Sequence, residues 1–195
     1  RGYATSIGHA PVPGLIDPAA GSVLSIAEAL TNIIWAPLSH NLKGISLSAN
    51  WMWPSKNKGE DSRLYRAVEA ASDFAVALGI NIPTGKDSLS MTQKYNDDVV
   101  YAPGTVIISA AAEVEDVNKV VEPVLRNDND TIIVHIDFSK DEKKLGGSSF
   151  AQLLNKIGEK TPDIIDHAYF SAAFQAVQEL IREEKTAEEG FRALV

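Results

Sequence analysis

Leu24, Ala27, Leu30 and Ile34 recur at the spacing of one helix face, beginning near Ser22 or Ser25. Pro37 closes that run, because proline brings no amide to a continuing helix. Upstream, residues 3–7 read as a short strand. Pro11, Pro13, Gly14, Asp17, Pro18 and Gly21 then read as a loop. Ile45, Leu47 and Ala49 alternate with Ser46, Ser48 and Asn50, the period-two pattern of a half-buried strand. After a polar loop with Trp51, Trp53 and Pro54, a longer apolar stripe runs through Ala67, Ala71, Phe74 and Leu78. Asp61 and Ser62 are its candidate caps, and Gly79 is its stop.

Residues 80–83 and 89–95 read as short strands around a glycine turn, and Asn96-Asp97-Asp98 as a hairpin turn. Residues 99–112 form a strand region broken at Pro103-Gly104. Beyond Val114 the texture changes. A short segment opens at Glu115, Asn127 to Asp130 make a polar turn, and 131–137 is a β-branched strand. Gly146-Gly147-Ser148 leads into a helix with Phe150, Leu153, Leu154 and Ile157. A last helix covers about 166–184, and the stretch from Lys185 fits neither pattern. The pattern as a whole predicts a mixed α/β (α+β) chain in two parts, residues 1–113 and 114–195.

Composition narrows the function classes. Of 195 residues, 45% are hydrophobic and 23% charged, an ordinary globular balance. A net charge of −8 has the wrong sign for phosphate-backbone binding, so no nucleic-acid partner is expected. The longest apolar stretches fall short of the roughly 20 residues of a membrane span, so no membrane partner is expected either. With no cysteine there is no disulfide framework, thiolate metal site or cysteine nucleophile, and the expected compartment is cytoplasmic. The chain opens Arg1-Gly2-Tyr3 with methionine only at 52 and 91, which reads as an excised piece of something longer.

Two constellations carry candidate chemistry. Glu28 and Asn32 sit one helical turn apart, and a carboxylate beside an amide oxygen suits a hard cation such as Mg²⁺. The competing reading makes Ser25 to Glu28 a capping box in which Glu28 binds a backbone amide. The second constellation is Thr84-Gly85-Lys86-Asp87-Ser88. Its glycine allows close backbone approach, Lys86 neutralises phosphate, and Asp87 and Ser88 orient a metal or polar substrate. The alternative is a polar hairpin turn. His9, His40, His135 and His167 are too scattered for a metal cluster, and His135 reads as a hydrogen-bonded core histidine. Trp51-Met52-Trp53 reads as core cover, and Gly146-Gly147-Ser148 as either an anion-holding helix start or a tight turn with a serine cap.

In order and spacing, several segments together are far more specific than any one. They are Gly8-His9-Ala10-Pro11, Asp17-Pro18-Ala19-Ala20-Gly21-Ser22, Ala27-Glu28-Ala29-Leu30-Thr31-Asn32, Leu47-Ser48-Ala49-Asn50-Trp51-Met52, Gly59-Glu60-Asp61, Gly85-Lys86-Asp87-Ser88-Leu89-Ser90-Met91 and Leu145-Gly146-Gly147-Ser148. With them the chain resembles the large, single-chain phosphoribosylformylglycinamidine synthases of purine biosynthesis. The resemblance implies an aminoimidazole ribonucleotide synthetase-like subdomain, from the second synthetase half, followed by the start of a second α/β subdomain. It implies an ATP-dependent glutamine amidotransferase. ATP activates the formamide oxygen of formylglycinamide ribonucleotide, and ammonia, released from glutamine in a separate domain, displaces phosphate to give the amidine.

Carried onto this sequence, the resemblance makes Glu28 and Asn32 Mg²⁺ ligands at an auxiliary, structural ADP site. It makes Lys86, Asp87 and Ser88 nucleotide or substrate contacts, and assigns no catalytic residue here. Its other metal ligands are an aspartate before Arg1 and one in a His-Asp-x-Ser-x-Gly-Gly segment after Lys185, where this chain runs Thr186 to Val195 without it. The implied partners are small-molecule substrates and the rest of the same chain, namely the first synthetase half and the glutaminase domain. The isolated piece is expected to be inactive, to bind Mg-nucleotide weakly and to form a homodimer. Two alternatives stand beside this: a non-catalytic nucleotide-binding scaffold, or another ATP-using enzyme of the same superfamily, such as a small-molecule kinase.

Overall fold

The computed structural model describes residues 1–124, 127 and 129–183. Strand β1 (Gly2–His9) passes through helix α1 (Pro11–Ile16) into helix α2 (Pro18–Ile33). Asp17 caps α2, its carboxylate accepting from the Ala19 amide at 2.9 Å, while Pro18 occupies the first turn, where its missing N–H leaves nothing unpaired. The expected helix start near Ser22 or Ser25 therefore moves upstream, and most of 11–21 is helical rather than loop. Pro11 and Pro18, which read as loop punctuation, each sit in the first turn of a helix. The capping box at Ser25 is not formed. Ser25 is fully buried, and its hydroxyl donates to the Gly21 carbonyl at 2.8 Å.

After a 3-10 turn at Asn41–Gly44, strand β2 (Ser46–Met52) buries Leu47 and Ala49 as the alternation predicts. Helix α3 (Glu60–Leu78) follows. Its N-cap is Gly59, with φ 85°, so Asp61 and Ser62 lie inside the first turn instead of capping it, and Gly79 ends the helix as expected. Strand β3 (Asn81–Ser88) runs unbroken through Thr84-Gly85-Lys86, which overturns the expected glycine turn. The physical reason is packing: a Cβ at Gly85 would lie 2.6 Å from the Ala49 carbonyl oxygen of the neighbouring strand. A hairpin of β4 (Thr92–Tyr95) and β5 (Asp98–Tyr101) turns at Asn96, with φ 51°, before β6 (Thr105–Val114). Helices α4 (Ser149–Leu153) and α5 (His167–Arg182) close the described chain.

The main sheet has the order β1-β6-β2-β3, with β6 antiparallel to both neighbours and β3 parallel to β2. Its core face carries Leu47, Ala49, Val106, Ile108 and Ala110 against α2, and α3 packs on α2. Helix α2 is buried on nearly every side, which explains its run of Ala, Gly and Ser. Helix α5 adds Phe170, Phe174, Val177 and Ile181 to the same core, Phe170 meeting Phe74 edge-on at 5.4 Å. Gln178 of α5 is fully buried. It accepts from the Leu38 amide and donates to the Ala36 carbonyl, both at 2.9 Å, and it also donates to Ile34.

The segment 131–137 is not a strand. Ile132, Ile133 and Val134 are exposed and pair with no other strand among the described residues. His135 is likewise exposed rather than a core histidine. The β-branched composition marks a capacity for pairing that no described neighbour meets. Asp128 of the expected polar turn, and the tail from Glu184 including Lys185 to Val195, lie outside the described residues.

Candidate functional site

Gly8 brings β1 hard against α2: a Cβ there would meet the Ser25 carbonyl at 2.2 Å and the Ala29 amide nitrogen at 2.3 Å. That close approach puts Glu28 and Asn32 within reach of the free edge of β1. The Glu28 carboxylate accepts from the His9 amide at 2.6 Å, and the Asn32 amide donates to the Ile7 carbonyl at 3.0 Å. Both backbone groups point away from β6, so these side chains finish the hydrogen bonding of an edge strand. Glu28 does bind a backbone amide, as the capping reading held, but across a tertiary contact instead of at its own helix start.

Glu28 also lines an open cleft of about 830 Å³ between the 9–13 loop, one flank of α2, and the segments at 134–139 and 147–152. Its other carboxylate oxygen makes no described hydrogen bond. Asp137 lines the opposite side. A hydrogen bond from Lys143, then bonds from the Ser139 hydroxyl and amide, hold its carboxyl well below the usual carboxylate range. Ser148 stands at the cleft wall and caps α4, accepting from the Ala151 amide at 3.2 Å, so the tight turn with a serine cap is the arrangement found. The cleft has the volume of a small-molecule site, walled by Leu24, Trp35, Ile136 and Phe138. No group of three or more His, Asp or Glu side chains gathers for a metal among the described residues. Glu28 and Asn32 therefore provide a partial, hard-oxygen donor set, one that suits Mg²⁺ when other ligands complete it.

Lys86, Asp87 and Ser88 end β3 at the far edge of the sheet, three strand spacings or about 14 Å from β1. They share with Glu28 the same end of the sheet, since His9 pairs with Ile107, Ile107 with Asn50 and Asn50 with Lys86. Because β3 is a strand, the three do not point together. Lys86 donates to the Ser88 hydroxyl at 2.8 Å on one face, while Asp87 projects to the other. Sequence reasoning thus found two clusters that the fold keeps apart. It missed Asp137 and Lys143, whose six-residue separation fits neither strand nor helix periodicity, so nothing in the sequence pairs them. Trp53 is core cover, as expected: it is buried and donates through Nε1 to Glu60 at 2.9 Å. Among the described residues no helix is long and apolar enough to cross a membrane.

This mixed α/β arrangement is that of the PurM-like synthetases. The solved structure of T. maritima PurL complexed with ATP aligns over 92% of this chain and 25% of its own, at a TM-score of 0.53 and 12% identity. A sequence model described as the FGAR-AT PurM_N-like domain matches residues 1–113, and the chain belongs to that family. Among its relatives, a probable phosphoribosylformylglycinamidine synthase, chloroplastic/mitochondrial, from Arabidopsis thaliana is 43% identical over 93% of this chain. The phosphoribosylformylglycinamidine synthase of Saccharomyces cerevisiae is 40% identical over 94%. The chain spans 13% and 14% of the lengths of these two relatives.

Proposed function

We propose that this chain is a piece of an ATP-dependent carbon–nitrogen ligase that converts formylglycinamide ribonucleotide, glutamine and ATP to formylglycinamidine ribonucleotide, ADP, phosphate and glutamate. Residues 1–113 are the N-terminal-type subdomain of its second synthetase half, and 114–195 begin the C-terminal-type subdomain. The observation that carries this reading is Glu28, held at the wall of a small-molecule cleft with one carboxylate oxygen tied to His9 and the other without a described bond. Glu28 and Asn32 supply part of the Mg²⁺ shell of a bound ADP, and bound Mg²⁺ screens phosphate charge there. Lys86 and Ser88 contact a phosphate-bearing ligand at the other edge of the sheet, and Asp87 contributes from the opposite face. The partners are the first synthetase half and the glutaminase domain of the same long chain. The isolated piece is inactive and dimeric, and the intact enzyme works in the cytoplasm.

A second reading is favoured by the double tie of Glu28 and Asn32 to β1: the nucleotide site is a scaffold that supports the active site without turning over. Glu28→Ala in the intact enzyme separates the two. Loss of bound ADP and of thermal stability with near-normal turnover supports the scaffold, and collapsed turnover at unchanged stability refutes it. Formation of the amidine from formylglycinamide ribonucleotide, ammonia and ATP tests the reaction itself. A kinase-type product in its place would overturn the assignment.

A further inference from the structure

The face of the sheet turned away from α2 carries a polar row across its last strands. Leu47 and Ala49 are buried on the core face, so Ser48 and Asn50 project from the open one. The Ser48 hydroxyl accepts from Thr84 at 3.0 Å, which fixes Thr84, and two residues on Lys86 and then Ser88, on that same face. In register, Asn50 lies opposite Lys86 on one side and Ile107 on the other. Lys86 is the sole ionised side chain that the described β2 and β3 put on this face, because Asp87 projects from the other.

Within this row Asn50 stands apart. Its side-chain oxygen is buried yet accepts no hydrogen bond, although the Lys86 ammonium stands on the next strand. That ammonium is turned along its own strand to Ser88. A buried acceptor left without a donor costs about as much as a lost hydrogen bond, so its persistence at a polar surface needs a reason.

We propose that Asn50 is a specificity-determining residue of a sugar-phosphate site on this face, accepting from a ligand hydroxyl or amide N–H while Lys86 and Ser88 hold the phosphate. The inference rests on the reading of Lys86 and Ser88 given above. An ammonium beside hydroxyl donors suits a phosphate dianion, which at neutral pH has no proton to give Asn50. The group that satisfies Asn50 must therefore be a donor elsewhere on the same ligand. Adjacent strands lie about 4.8 Å apart, a separation that matches a phosphate and a hydroxyl a few bonds away on a pentose.

The test is a titration of the isotope-labelled protein by NMR with ribose 5-phosphate and with ethyl phosphate, which has the phosphate and lacks the hydroxyl donors. Wild type is expected to prefer ribose 5-phosphate. Asn50→Ala should weaken ribose 5-phosphate by about three- to tenfold, the worth of one neutral hydrogen bond, and leave ethyl phosphate unchanged. Lys86→Ala should weaken both probes. Asn50→Asp, the near-isosteric variant, should repel both phosphates while still accepting from the sugar, and so widen the preference. Equal effects of either Asn50 variant on the two probes, or no binding of ribose 5-phosphate to wild type, would overturn the role of Asn50. Should Lys86→Ala leave both probes unaffected while the Asn50 dependence persists, the phosphate role of Lys86 fails and the Asn50 contact stands.

Discussion

Glu28 is asked to do two things at once, and replacing it by glutamine or alanine separates them. Its structural task is one hydrogen bond from the His9 amide at 2.6 Å, made at an exposed position on an edge strand. Water reaches that amide once the carboxylate is gone, so Glu28→Ala should cost only about 1 kcal/mol. For a chain of this size that is a fall in Tm of roughly 2–4 °C. Glu28→Gln keeps an oxygen acceptor in the same place and should cost less than about 0.5 kcal/mol. Its metal task behaves oppositely, because Mg²⁺ gives up water for a charged oxygen far more readily than for a neutral one. Glu28→Gln should therefore weaken Mg-ADP binding in the intact enzyme by tenfold or more, about 1.4 kcal/mol, while its melting curve stays near wild type. Calorimetric titration of Mg-ADP, paired with thermal melts of the same samples, reads both quantities. Wild-type Mg-ADP affinity in Glu28→Gln would show that the carboxylate is only a strand tie, and the metal assignment would fall.

Gln178→Leu should be far more damaging, because it strands the Leu38 amide and the Ile34 and Ala36 carbonyls in a dry core. A loss of about 2–4 kcal/mol in urea unfolding is expected, and a loss below about 0.5 kcal/mol would contradict the account. Gly8→Ala should separate β1 from α2 and disturb the amide resonances of Ile7 and His9, since the added methyl would overlap Ser25 and Ala29 backbone. Lys143→Ala should move the Asp137 carboxyl back up towards 3.8, readable by NMR titration of its side chain. Because the folded value is depressed, the stability tied to this group is complete above 3.8 and is lost as pH falls below it. Asp163 has the opposite sign. Burial raises its carboxyl, so its ionisation opposes folding at neutral pH, and Asp163→Asn should raise Tm at pH 7 and lose that advantage at acid pH. An equal effect at both pH values would refute it.

Much of this molecule follows from local pattern. The alternation at 45–50, the stripe of α3 and the spacing through α5 each name an element with its buried face, because periodicity records which side chains must leave water. Errors came where local signals have two uses. Proline marks a loop or opens a helix, and glycine marks a turn or lets two strands touch, so α1, the start of α2 and the unbroken β3 were misread. The β-branched segment 131–137 failed for another reason, since a strand exists only with a neighbour to pair with. Glu28, Asn32, Lys86 and Ser88 were visible as residue types suited to metal and phosphate, and their order along the chain pointed to the family. The sequence by itself determined which side chains are available and which faces turn inward. Only the tertiary structure decided what meets what: that Glu28 and Asn32 grip β1, that Asp87 faces away from Lys86, and that Asn50 joins Lys86 across two strands. Those contacts join residues far apart in the chain, and strand order and register, which set them, come from packing the whole core.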